Sequence, residues 1–75
     1  MKVIVVYNNV AKSSLHEILE KEYEGLANAY IPKVGEIVCV YSSHEHVDIE
    51  FKVTEIRTLI KPEYDRFDVL LEEVS

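Results

Sequence analysis

The sequence predicts an α+β fold in the order β-α-β-β-β, within a single domain that spans residues 1–75. Three observations support this prediction. Residues 1–7 are rich in β-branched side chains, apolar residues recur at helical spacing over 15–23, and the apolar period shortens to two after Val34. A chain of 75 residues, of which 48% are hydrophobic, has enough apolar material for one core but not for two.

The first two elements are predicted to be a buried strand and an amphipathic helix. The strand is apolar on both faces, and Asn8 and Asn9 are typical of a turn after it. Ser14 and Glu17 have the spacing of a capping box, which predicts the start of a helix. Gly25 is expected to end this helix in a left-handed cap. The apolar stripe of the helix consists of Leu15, Ile18, Leu19 and Tyr23.

Three strands are predicted in the second half of the chain, at 36–42, 47–53 and 66–74. The positions expected to face inward are Val47, Ile49, Phe51, Val53, Phe67, Val69 and Leu71. The parity of the apolar positions changes near Thr54 and Glu55, which predicts a bulge or sharp bend. Bends of this kind allow a short sheet to curl into a barrel.

A short motif supports a curled architecture for this half of the chain. The sequence Lys33-Val34-Gly35-Glu36 enters an apolar strand, and an alternating strand with a kink and a final strand follow it. This arrangement resembles the meander of small SH3-like barrels. The resemblance implies a small SH3-like curled barrel, and an open antiparallel sheet with one helix is the alternative.

Composition argues against several classes of function. Eight Lys and Arg residues against fourteen Asp and Glu residues give a net charge of −6, which disfavours direct binding to nucleic acid or to an anionic membrane. The longest apolar runs, 3–7 and 37–41, are far shorter than the roughly twenty residues that a membrane-spanning helix needs. The single Cys39 cannot form an intramolecular disulfide, so a cytoplasmic location is expected.

The outer face of the predicted sheet is expected to combine acidic and apolar residues. If residues 42–46 close a hairpin, Cys39 lies opposite Ile49 in the interior, and Val40 lies opposite Asp48 on the outer face. The outer residues are then Val38, Val40, Leu70, Asp48, Glu50, Asp68 and Glu72. Their carboxylates predict an acidic stripe, with Lys52 as its main interruption. This stripe serves either as a solvated face or as a surface for a protein partner. The helix or another protein would cover the apolar positions.

Few residues suggest chemistry. His44, His46 and Asp48 would point to one side of a strand, where two imidazoles and a carboxylate suit zinc or a similar metal. They fall at a predicted hairpin tip, however, and the chain has no second pair of ligands, so no metal or other cofactor is expected. Cys39 between two valines is expected to be buried rather than nucleophilic. With no glycine-rich phosphate loop either, the chain is not expected to be an enzyme.

The leading hypothesis is a small, acidic, cytoplasmic module that binds another protein, or a second copy of itself as a homodimer, without catalysis. The residues expected to form its contact surface are Asp48, Glu50, Asp68, Glu72, Val38, Val40 and Leu70. One alternative is an acidic inhibitor that mimics nucleic acid and occupies a site on a nucleic-acid-handling enzyme. A further alternative is a metal or small-ligand sensor that uses His44, His46 and Asp48.

Overall fold

The protein is almost entirely β-sheet, so the predicted α+β class is wrong. The computed structural model describes residues 1–11 and 14–74. These residues form β1 (Lys2–Ala11), β2 (Ser14–Glu24), a single 3-10 turn (Leu26–Asn28), β3 (Ile37–Ser42), β4 (Val47–Ile60) and β5 (Tyr64–Glu73). In the described part of the chain, no helix is long and apolar enough to cross a membrane.

The strands form one five-stranded sheet in the order β2-β1-β5-β4-β3. β1 and β5 are parallel, and every other neighbouring pair is antiparallel. The sheet curls into a half-barrel, with β2 and β3 as its two edges. Because β2 and β3 are consecutive in sequence but lie at opposite edges, residues 25–36 pass from one edge of the sheet to the other.

The predicted helix is the edge strand β2, and the turn predicted at Asn8 and Asn9 is absent because β1 continues through both residues. β2 pairs with β1 along its length, with a register shift beside Asn8. This pairing satisfies the backbone N–H and C=O groups along one whole side of β1. The resulting gain in free energy outweighs the local preference for a helix that the spacing of the apolar residues indicates. Ile18, next to the shift, packs against the core although its neighbour Leu19 also lines the inner side. In the sequence, these two adjacent apolar residues look like part of the apolar stripe of an amphipathic helix.

The core lies on the inner face of the curled sheet. It is a cluster of Val3, Val5, Tyr7, Phe51, Val53, Val69 and Leu71, drawn from the three central strands. The inward orientation predicted for the β4 and β5 members of this cluster is confirmed. The predicted bulge is also confirmed, because the β4–β5 register shifts between Val53 and Glu55. Val47, which was also predicted to face inward, is 49% exposed at the start of β4.

The hairpin that joins β3 to β4 has a different register from the one predicted. Its turn occupies residues 43–46, and the backbone N–H of His46 donates to the carbonyl oxygen of Ser42 at 2.7 Å. His46 has a φ of 59°, in the left-handed region. With this turn, Cys39 lies opposite Glu50 rather than opposite Ile49. The predicted pairing is therefore displaced by one residue.

A displacement of one residue moves every side chain of β3 to the other face of the sheet. Val38 and Val40, predicted to lie on the outer face, instead pack against the core from the inner face. Cys39, predicted to be interior, is exposed on the outer face. Leu70 does not belong to the inner core cluster, but it is only 5% exposed.

Candidate functional site: the cleft between the edge strands

A cleft lies on the open side of the half-barrel, between β2 and β3. One recess, of about 170 Å³, is lined by residues from both edges and from the segment between them, including Leu19, Tyr23, Tyr30, Val38 and Val40. A second recess, of about 330 Å³, includes Ile18, Val40, Tyr41, Ile49 and Phe51. Val40 lines both recesses, which together make up the cleft.

The β3 rim of the cleft is apolar and unprotected. β3 pairs with β4 on one side, and no described strand pairs with its other side. Its sequence, Ile-Val-Cys-Val-Tyr-Ser, contains no Asp, Glu, Lys or Arg. Ile37 and Tyr41 are 48% and 59% exposed on its outer face. Natural edge strands usually carry charges, prolines or bulges that prevent another chain from pairing with them, and β3 has none of these.

The β2 rim, by contrast, is protected by charge. Glu20, Glu22 and Glu24 alternate along its outer face, opposite β1 residues that point away from the core. The Nζ atom of Lys2 lies 3.6 Å from Oε1 of Glu22, and both side chains are about half exposed. Lys21 lies on the inner side of β2 and contributes to the smaller recess. The two rims of the cleft therefore differ in chemistry, one being apolar and the other mainly acidic.

Aromatic residues form one end of the cleft. Tyr7, Tyr23 and Tyr30 line the same recess. Burial raises the pKa of Tyr7 above its usual value, and the nearby Tyr23 and Glu36 raise it further. The Tyr30 hydroxyl donates a hydrogen bond to Glu36, whose carboxylate also accepts one from the backbone N–H of Lys33 at 3.2 Å. These bonds hold the segment between the two edges, and tyrosines offer an apolar ring with a polar tip to a partner.

The predicted acidic stripe is interrupted by cations. The Nε atom of Arg66 donates to Oδ1 of Asp68 at 2.7 Å, and this hydrogen bond raises the pKa of the guanidinium. Arg57 lies opposite Asp68 on the neighbouring strand, and Lys52 lies opposite Glu72. Two of the four predicted carboxylates therefore face cations of the same sheet, which disfavours a continuous surface that imitates nucleic acid.

The other two carboxylates lie one strand behind the β3 rim and line neither recess. Asp48 and Glu50 lie on the outer face of β4, directly opposite exposed residues of β3. In the described part of the chain, neither of them takes part in an ion pair. Val38 and Val40, two of the predicted contact residues, line the cleft from its inner face. Leu70, the third apolar contact residue predicted, does not line either recess and has little surface to offer a partner.

The candidate metal ligands do not converge. His44 and His46 lie in the exposed β3–β4 turn, and Asp48 lies on the outer face of β4. The Nδ1 atom of His46 is 3.3 Å from the Tyr41 hydroxyl, at hydrogen-bonding distance. Across residues 1–11 and 14–74, no group of three His, Cys, Asp or Glu side chains is arranged to hold a metal ion. The geometry does not favour the sensor hypothesis.

Sequence reasoning missed the β2 side of the cleft. The helical spacing of Leu19 and Tyr23 predicts a helix, which hides their position on a sheet edge, and Tyr30 lies outside every predicted element. A signal was present in the alternation of Glu20, Lys21 and Glu22, which continues through residue 24 with the period of a strand. If this period of two is given more weight than the helical spacing of the apolar residues, it indicates a strand with an acidic outer face.

Comparisons with known proteins do not assign a role to this cleft. No known protein family, curated protein or solved structure matches the chain. A functional assignment therefore depends on the chemistry of the cleft and its two rims.

Proposed function

We propose that this protein is a small, acidic, non-catalytic protein-binding module, and that the cleft between β2 and β3 is its binding surface. The partner contributes an extended segment that pairs with β3. Strand addition of this kind obtains affinity from main-chain hydrogen bonds and specificity from alternate side chains that enter pockets.

The observation that carries this proposal is the unprotected edge of β3. Six consecutive residues without Asp, Glu, Lys or Arg leave their backbone N–H and C=O groups on one side without a partner strand in the described structure. Such an edge is a template for another chain. Beside it, Val38 and Val40 provide an apolar surface that a partner's side chains would cover.

The acidic residues contribute selectivity in this proposal. Asp48 and Glu50 flank the apolar rim, and charged residues around an interface mainly control the rate of encounter and the choice of partner. Partners with a strongly acidic segment would be rejected, because the β2 rim is mainly acidic and the whole chain has a net charge of −6.

The test is selection of random peptides displayed on phage against the immobilised protein. Peptides selected by the wild-type protein should bind at least about tenfold more weakly to a Val40→Lys variant. Val40 lines both recesses, and the ammonium group of a lysine at this position would need a polar partner when a peptide covers it. Thr58→Lys is the matched control, since Thr58 is exposed on the part of β4 that β3 does not cover.

Thermal unfolding of both variants separates binding defects from folding defects. If Val40→Lys unfolds, Tyr41→Lys replaces it, because Tyr41 is largely exposed and also lines the larger recess. Selection of no binding peptide, or equal binding to the wild-type protein and to a folded cleft variant, would contradict the proposal.

A further inference from the structure

We infer that the partner segment is a strand in which aliphatic residues alternate with Lys or Arg, and that it enters the cleft as a sixth strand beside β3. This inference rests on the proposed function and specifies the chemistry of the partner.

The period of a strand requires two kinds of side chain. Successive residues of an extended segment point to opposite faces of a sheet. In a strand paired with β3, every second side chain points inward, against Val38, Val40 and Tyr23. Aliphatic side chains suit these inward positions. Lys21 also lines the inner side, and its ammonium group disfavours a second cation there.

The outward side chains meet an acidic environment. The smaller recess is lined by β2 and β3 together, so a strand paired with β3 whose side chains enter this recess also approaches β2. The outer face of β2 carries Glu20, Glu22 and Glu24, and Lys2 is the cation paired with one of them. On the opposite side, Asp48 and Glu50 lie one strand beyond β3. Lys or Arg at the outward positions would therefore face the carboxylates of β2, and would lie roughly 10 Å from those of β4, beyond the exposed side chains of β3.

The same charges disfavour a second copy of this chain as the occupant. The β3 strand of another copy has no Lys or Arg with which to meet Glu20 and Glu24. It would also bring its own Asp48 and Glu50 toward a rim that is already acidic. Two chains with a net charge of −6 repel each other at this point, whereas a basic segment is attracted.

The experiment is an NMR titration of the ¹⁵N-labelled protein with a capped peptide of about eight residues, long enough to span β3, in which Lys and Val alternate. We expect the largest amide shifts in β3 and β2. A peptide that alternates Glu with Val controls for charge, and a peptide with the same composition but with Lys and Val in separate blocks controls for the alternation. Both control peptides should bind at least about tenfold more weakly, the ratio that corresponds to roughly 1.4 kcal/mol.

Charge-reversed variants test the β2 rim. Glu20→Lys and Glu24→Lys should each weaken binding of the Lys-Val peptide about threefold to tenfold, since each change replaces an attraction at an exposed site with a repulsion. Glu63→Lys is the charge-matched control, because Glu63 is exposed in the turn between β4 and β5, and it should retain wild-type affinity apart from a small, salt-sensitive effect.

Several outcomes would overturn this inference. Equal binding of the acidic or block peptide would show that charge alternation does not select the partner. Shifts of β3 amides on dilution of the protein alone would identify a second copy as the occupant. If display selects peptides that bind at β3 but lack alternating basic residues, this inference fails and the proposed function stands. If no peptide binds at β3, both fail.

Discussion

Leu71 lies in the core on the inner face of the sheet, and the substitution Leu71→Ala should remove a large part of the stability of the protein. Leu71 has 0% exposure and lies on β5 between β1 and β4, where pairing on both sides prevents the backbone from closing around a cavity. The transfer of about three methylene equivalents costs roughly 2.4 kcal/mol, and an unfilled cavity raises the expected loss to about 3–4 kcal/mol. A 75-residue domain is expected to have a total stability of about 4–11 kcal/mol.

Urea unfolding followed by circular dichroism measures this loss, and the thermal midpoint should fall by roughly 12–30 °C. Leu59→Ala is the matched control, because Leu59 is 37% exposed near the end of β4 and should cost only about 1 kcal/mol. The unfolding slopes should agree with that of the wild-type protein, so that the change reports stability alone. Equal losses in the two variants would refute the assignment of Leu71 to the enclosed core.

Three further predictions concern the register, a turn and the pH dependence. The Cys39 thiol should react with a disulfide reagent in the folded protein nearly as fast as in urea, and protection until global unfolding would support the register predicted from sequence instead. Gly35→Ala should cost about 1–2 kcal/mol in urea unfolding because φ is 94° at Gly35, although no atom would contact the new methyl group; an unchanged midpoint would contradict this. The pKa of Tyr7 is raised in the fold, so its contribution to stability is complete below the unfolded value of about 10 and is lost as the pH rises through the folded value. The Tyr7→Phe variant should therefore lose less stability than the wild-type protein when the pH is raised from about 9 to 11. Parallel curves of unfolding free energy against pH for the two proteins would argue against a contribution from Tyr7.

Local patterns were sufficient for the buried faces of β4 and β5, although not for the register of β3. Period-two alternation in β4 and β5 predicted which faces are buried, and the change of parity after Val53 predicted the bulge. These features are encoded locally because a strand buried on one side must alternate, and an inserted residue must reverse that alternation.

The first half was not predictable in the same way. Residues 14–24 combine a period-two acidic row with apolar residues at helical spacing, and both patterns are compatible with the local sequence. The choice between them depends on β1, whose edge gains a full antiparallel partner when this segment is extended. A helix would satisfy its own backbone groups but would leave that edge of β1 unpaired.

The features of the candidate site also divide into those that the sequence determined and those that only the tertiary structure decided. From sequence alone came the net charge, the apolar segment 37–41 and the absence of acidic residues from it. The tertiary structure decided where these features lie. A four-residue turn orients Val38 and Val40 toward the core and leaves Cys39 exposed, and the curl of the sheet brings two distant segments together as facing rims. Composition and periodicity are properties of neighbours along the chain, whereas register and edge position depend on which strands meet, and that is determined by the free energy of the whole sheet.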